Sequence, residues 1–140
     1  PRAVLDVGCG YNEFKGRINN IIGIDPYNKN ADLQVGTLDY KTDQKFDVIL
    51  CLGSVNFGSR DKIIAEVERC EKLLADGGTM FFRVNPGLPH DKPEADWIEF
   101  YAWNVPFIIE LSEKFNLKIL DIRDDTNSRK YFVYKKVAKP

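Results

Sequence analysis

Four residues near the start of the chain have the types and spacing needed to hold a nucleoside. A hydrophobic run passes through Asp6 and ends in a turn that contains Gly8 and Gly10. Glycine has no Cβ, so the backbone can turn sharply there and approach a ligand closely. A second apolar run ends in Asp25, fifteen residues beyond Gly10. A carboxylate at the tip of a strand can accept hydrogen bonds from both ribose hydroxyls, so this spacing predicts a cofactor pocket.

The acidic residue two positions before Gly-x-Gly resembles the first motif of class I S-adenosylmethionine (SAM) dependent methyltransferases. The dehydrogenase motif G-x-G-x-x-G would need glycine at position 13, where this chain has Glu13. Two later segments resemble the same family in order. Residues 46–58 are similar to its fourth strand and the loop beside the methyl group, and residues 70–87 to its helix, Gly-Gly turn and fifth strand. The resemblance covers essentially the whole chain and implies SAM as the cofactor.

The resemblance also implies roles for individual residues. Asp6 would orient the amino group of the methionine part of SAM, and Asp25 would bind the ribose. Where the family commonly places an Asp against the adenine amino group, this chain has residues 37–39, and the contact stays open among them. Cys9 is more consistent with a small buried filler than with a nucleophile, because no base is placed beside it. The predicted cofactor-binding residues are Asp6, Gly8, Cys9, Gly10, Asp25, Pro26, Leu38, Asp39, Leu52 and Ser54.

Two residues are candidates for contact with the methyl acceptor. Asn56 follows the predicted fourth strand, where this family lines the transferring methyl group. His90 lies on a Pro- and Gly-rich loop after the next strand and could act as a base, although a loop histidine is commonly just solvated. We expect Asn56 to matter more, because its segment is nearer the methyl group.

Three classes of function are compatible with these residues. The favoured one is transfer of the SAM methyl group to an acceptor, small molecule or macromolecule, that the sequence does not identify. A catalytically idle SAM-binding or scaffold subunit is the first alternative, and an NAD-type oxidoreductase the second. The net charge of −1 and the pI near 5.9 do not favour nucleic acid or an anionic membrane as a partner, although a nucleic-acid acceptor stays open.

The elements that must position these residues alternate between strands and helices, which is typical of a parallel sheet built from βαβ units. The polar turn over 124–128 is too short for a parallel crossover, so the last two strands must be antiparallel. We therefore predict one domain over 1–140 with a Rossmann-like α/β sheet of seven strands, mostly parallel, with an antiparallel C-terminal hairpin and helices on both faces. The strands are predicted near residues 3–7, 21–25, 32–35, 46–52, 79–84, 117–122 and 130–137.

The helices are predicted from apolar spacing and from end signals. One begins after Ser59 as N-cap and is stopped by the Gly-Gly pair at 77–78. A second helical region over 94–115 is expected to break at Pro106, with Asn104 capping its second half. The first helix, after Gly10, has room for about two turns. Such shortened first helices would cover one face of the sheet thinly, so a partner protein or a second copy in a homodimer could cover that face.

The remaining composition constrains the chemistry and the compartment. The three cysteines have no C-x-x-C spacing, and His90 is the only histidine, so neither a disulfide framework nor a metal site is expected. No apolar run approaches the roughly 18 residues that a membrane span needs, and no signal peptide is recognisable. The sequence therefore predicts a soluble, cytoplasmic protein.

Overall fold

A computed structural model of the chain describes residues 3–55, 58–84, 103–125 and 129–137. These residues form a mixed sheet with the strand order β2-β1-β3-β4-β6-β5. Strands β1 to β4 are parallel, and β6 runs antiparallel to both β4 and β5. The predicted mostly parallel sheet with an antiparallel C-terminal hairpin is confirmed. The strands are β1 (Val4–Val7), β2 (Ile21–Ile24), β3 (Phe46–Leu52), β4 (Leu74–Val84), β5 (Leu117–Asp125) and β6 (Arg129–Lys136).

The described residues contain six strands rather than the predicted seven. The segment 32–35 was expected to be a strand, but it contributes only an isolated bridge between Leu33 and Ile24. The N–H of Gly23, which a neighbouring strand could have bonded, donates instead to the carboxylate of Asp32 at 2.8 Å. A side chain has replaced part of the backbone ladder, so the strand does not extend.

Helix α1 (Arg60–Leu73) connects β3 to β4. Its N-cap is Ser59, as predicted, whose Oγ accepts the N–H of Lys62 at 3.2 Å. The predicted end at the Gly-Gly pair is wrong, because the helix ends at Leu73 and β4 begins at once. Leu74 is buried and pairs with Phe46 of β3, so tertiary packing makes this residue extended. The two glycines lie inside β4 instead.

Helix α2 (Val105–Lys114) begins where the sequence predicted a break. Asn104 is its N-cap and accepts the N–H of Phe107 at 2.9 Å, while Pro106 stands in the first turn, where its missing N–H costs nothing. The part of the predicted helical region before residue 103 lies outside the described residues. Trp103 is fully buried and donates from Nε1 to the carbonyl of Val55 at 2.9 Å, so it joins the core to the loop that follows β3.

The segment between β1 and β2 has no helix, although about two turns were expected. Residues 11–20 form successive turns. Asn12, Gly16 and Asn20 have φ values of 62°, 87° and 59°. Left-handed residues at three points cannot belong to a continuous right-handed helix. A short 3-10 turn, Thr37–Asp39, is the helical element between β2 and β3.

The core lies between the sheet and the two helices. α1 contributes Ile63 and Val67, and α2 contributes Ile108 and Leu111, all fully buried. The ring of Phe82 stacks on that of Phe132 of β6, and the ring of Tyr134 meets Phe82 edge-on. Within the described ranges no helix has the length and apolarity needed to cross a membrane.

Candidate cofactor site

A cavity of about 670 Å³ opens at the carboxyl ends of β1, β2 and β3. Its walls come from the turns after these strands, from the 3-10 turn and from the first half of α1. Ligands of open α/β sheets bind at this edge. Six of the ten predicted cofactor-binding residues line the cavity, namely Gly8, Asp25, Pro26, Leu38, Asp39 and Ser54. The other four, Asp6, Cys9, Gly10 and Leu52, are not part of its lining.

The carboxylate of Asp25 ties the first two turns together. Oδ2 accepts the N–H of Gly10 at 3.0 Å, and Oδ1 accepts those of Tyr27 and Asn28 at 2.8 and 3.2 Å. A carboxylate has about four acceptor positions, so three accepted bonds leave room for a ligand hydroxyl. Asp25 therefore fixes the shape of the site and also lines it.

The two glycines of the first turn are needed for different reasons. Gly8 has φ +67°, and a Cβ there would lie 2.2 Å from the Cβ of Ser54. Ser54 in turn donates to the carbonyl of Val7 at 2.6 Å, which holds the turns after β1 and β3 in contact. Gly10 has φ +57°, but a Cβ would meet no atom within 4 Å. Close approach and conformation together demand glycine at position 8, whereas conformation alone favours it at position 10.

Asp6 is a buried carboxyl group next to this turn. It is 4% exposed, and burial, with a further contribution from the charge of Asp25, raises its pKa to about 6. At neutral pH most Asp6 side chains are therefore ionised at an energetic cost. Two neighbouring carboxylates give this end of the site a negative potential, which favours a cationic ligand group.

The Cys9 side chain packs toward β2. Its Sγ lies 2.8 Å from the position that a Cβ on Gly23 would occupy. Burial, with smaller contributions from the nearby carboxylates, raises the pKa of the thiol to about 11. The thiol is therefore protonated at neutral pH, which supports the packing role over a nucleophilic one.

Two charged residues of α1 that were not predicted from the sequence also line the cavity, Lys62 and Glu66. Glu66 is 9% exposed, and its Oε1 has no hydrogen-bond partner among the described residues. Burial raises the pKa of Glu66, and the charge of Lys62 partly offsets this. The sequence carried a signal that the side chain of Glu66 is buried, because Glu66 lies on the apolar stripe of α1 together with Ile63 and Val67.

The two candidates for acceptor contact, Asn56 and His90, lie outside the described residues. Gly53 and Ser54, which come shortly before Asn56, line the cavity.

Comparisons with known proteins identify the fold. No protein-family profile and no curated protein matches the sequence. Among solved structures, the chain is similar to a 1,6-didemethyltoxoflavin-N1-methyltransferase from Burkholderia thailandensis, with bound 1,6-didemethyltoxoflavin and S-adenosylhomocysteine. The TM-score is 0.78 at 15% identity, over 98% of this chain and 72% of that one.

Two further solved structures give the same result. A SAM-dependent methyltransferase from Clostridium acetobutylicum has a TM-score of 0.72 at 15% identity, over 97% of this chain and 84% of that one. The N-methyltransferase NodS from Bradyrhizobium japonicum, in complex with S-adenosylhomocysteine, has a TM-score of 0.69 at 14% identity, over 96% and 77%. The chain therefore has the fold of the SAM-dependent methyltransferases.

Proposed function

We propose that this chain binds SAM and transfers its methyl group to an acceptor. The observation that carries the proposal is the cavity at the carboxyl ends of β1 to β3, where Asp25 holds the glycine turn in place. This arrangement stands on a fold shared with SAM-dependent methyltransferases, three examples of which are given above.

The residues present fit the chemical groups of SAM. Asp25 has one acceptor position left for a ribose hydroxyl. The negative potential near Asp6 suits the α-ammonium group of the methionine part, and Gly8 lets the backbone approach the ligand without a side chain in the way. Pro26 and Leu38 add apolar surface to the cavity for the base. The bound cofactor supplies an activated methyl group on a sulfonium centre.

The protein's contribution to such a transfer is mainly positioning. Little acid–base chemistry is needed, and holding two reactants in line supplies much of the acceleration. The turn after β3 carries Gly53 and Ser54 on the cavity wall and leads to Asn56, which we propose as an acceptor-positioning residue. His90 is proposed as a base for those acceptors that must lose a proton.

A thermal-shift comparison tests the cofactor. A ligand that binds only the folded state raises the melting temperature in proportion to ln(1 + [L]/Kd). SAM and S-adenosylhomocysteine should raise it, and NAD should not. Asp25→Asn should reduce the shift, whereas the control Asp43→Asn, on an exposed residue outside the cavity lining, should not.

The outcome also separates the proposal from its alternatives. Stabilisation by NAD alone would support an oxidoreductase and contradict the proposal. Binding of SAM without turnover on any small-molecule, peptide or nucleic-acid acceptor would support an idle binding subunit.

A further inference from the structure

The buried carboxyl group of Glu66 has no partner that the described protein supplies. The Glu66 side chain is only 9% exposed, and its Oε1 accepts no hydrogen bond from any described residue. The residues that flank it on the same side of α1, Ile63, Val67 and Cys70, are all buried in the core. A leucine or methionine would continue this apolar stripe, so the position carries a carboxyl group where packing alone would favour an apolar side chain.

Among the described residues, Glu66 forms no ion pair. Lys62, one helical turn earlier, also lines the cavity and acts on Glu66 through its charge. The thiols of Cys51 on β3 and Cys70 on α1 are buried nearby and are weak hydrogen-bond donors. An unpaired buried acceptor is unfavourable, so a donor that arrives with a ligand would remove the penalty.

Glu66 lies on the wall of the proposed cofactor cavity, together with the 3-10 turn. α1 and this turn are in contact, so both border the same part of the cavity. The hydrogen-bond donors of an adenosyl cofactor are the ribose hydroxyls, the α-ammonium group and the 6-amino group of adenine. Asp25 suits the ribose hydroxyls, and Asp6 suits the α-ammonium group. The 6-amino group is the donor that has no acceptor yet.

We infer that Glu66 is a specificity-determining residue that accepts a hydrogen bond from the 6-amino group of the adenine base. The inference rests on the proposed function. It assigns to α1 a contact that the sequence analysis left open among residues 37–39. Thr37 offers only a neutral hydroxyl oxygen, and Leu38 has no side-chain acceptor. Asp39 is exposed, so water competes for its carboxylate, whereas Oε1 of Glu66 is buried and unpaired among the described residues.

The experiment compares S-adenosylhomocysteine with its analogue in which hydrogen replaces the 6-amino group. Isothermal titration gives the two dissociation constants and their ratio for each variant. The wild type should prefer the amino compound by about tenfold or more, because the analogue leaves the buried acceptor unpaired. Glu66→Gln keeps an acceptor oxygen and should keep most of this preference. Glu66→Met removes it, and the ratio should fall close to one.

Two further variants identify the residue responsible. Glu68→Met changes an exposed carboxylate on the same helix, so it is the control and should leave the ratio unchanged. Asp39→Asn tests the competing assignment to the 3-10 turn and should keep the wild-type ratio, whatever its effect on the absolute affinity. Without ligand, Glu66→Met should melt at a higher temperature than the wild type, because it removes an unpaired buried carboxyl group.

The results separate this inference from the proposed function. If the wild type binds neither compound, the proposed function fails and the inference fails with it. If the wild type binds both equally well, the inference alone is wrong, and no variant is needed to show it. A folded Glu66→Met that keeps the wild-type ratio, or an Asp39→Asn that loses it, would also overturn the assignment.

Discussion

Replacing Asp6 by asparagine should make the ligand-free protein more stable and its cofactor binding weaker. The two side chains have nearly the same shape, so the substitution removes the charge and little else. Asp6 is buried beside the glycine turn, where burial and the charge of Asp25 raise its pKa from 3.8 to about 6.

The magnitude follows from linkage. The folded state holds a proton on Asp6 between about pH 4 and pH 6, where the unfolded state has lost it. The stability of the wild type therefore decreases as the pH rises through this window and levels off above it. A shift from 3.8 to about 6 corresponds to about 3 kcal/mol. Asp6→Asn removes this loss, so it should be more stable than the wild type by up to about 3 kcal/mol at pH 7.5 and by little at pH 4.

Urea unfolding of both proteins at the two pH values measures the difference. Asp43→Asn, on an exposed residue, provides the control and should match the wild type at both. Titration with S-adenosylhomocysteine at pH 7.5 should show that Asp6→Asn binds about tenfold or more weakly, because the substitution reduces the negative potential that suits the α-ammonium group. Two results would contradict this prediction: an Asp6→Asn that is less stable than the wild type at pH 7.5, or a difference in stability between the two proteins that does not change with pH.

Three further predictions concern Asp25, the two glycines of the first turn and the two candidates for acceptor contact. Asp25→Ala should weaken S-adenosylhomocysteine binding by about 1.5–3 kcal/mol in a calorimetric titration. It should also lower the melting temperature, because three backbone N–H groups lose their acceptor. Unchanged affinity would show that Asp25 is not part of the site. A Cβ at position 8 would lie 2.2 Å from the Cβ of Ser54, so Gly8→Ala should abolish S-adenosylhomocysteine binding, whereas Gly10→Ala should only lower the unfolding free energy by about 1–2 kcal/mol, the cost of the left-handed conformation. Equal losses of binding in the two variants would contradict this distinction. In a coupled assay of S-adenosylhomocysteine release with an active acceptor, Asn56→Ala should lower turnover more than His90→Ala, and the reverse order would make His90 the more important residue.

The parts of the fold that depend on local signals could be predicted from the sequence. Ser59 and Asn104 were expected as N-caps because their side chains can bond the free N–H groups of a first turn, and both do so. The glycine turn and Asp25 were expected together at the edge of the sheet. The structure places them there and adds the bond from Gly10 to Asp25.

The parts that depend on tertiary contacts could not be predicted. The sheet pairing of Leu74 ends α1 before the glycines do, and the bond of Asp32 to a β2 N–H limits the predicted third strand to one bridge. Asn12 and Asn20 adopt left-handed conformations that prevent the first helix. The place of Glu66 on the apolar stripe of α1 indicates that its side chain is buried, but only the fold shows that it lies on the wall of the cavity.

The proposed SAM site in the cavity after β1, β2 and β3 can be tested by isothermal titration of the purified chain with S-adenosylhomocysteine, with NAD in a parallel experiment. We expect one-to-one binding of S-adenosylhomocysteine that is lost in Gly8→Ala, and no binding of NAD. Binding of NAD without binding of S-adenosylhomocysteine, or S-adenosylhomocysteine binding that a folded Gly8→Ala leaves unchanged, would contradict it.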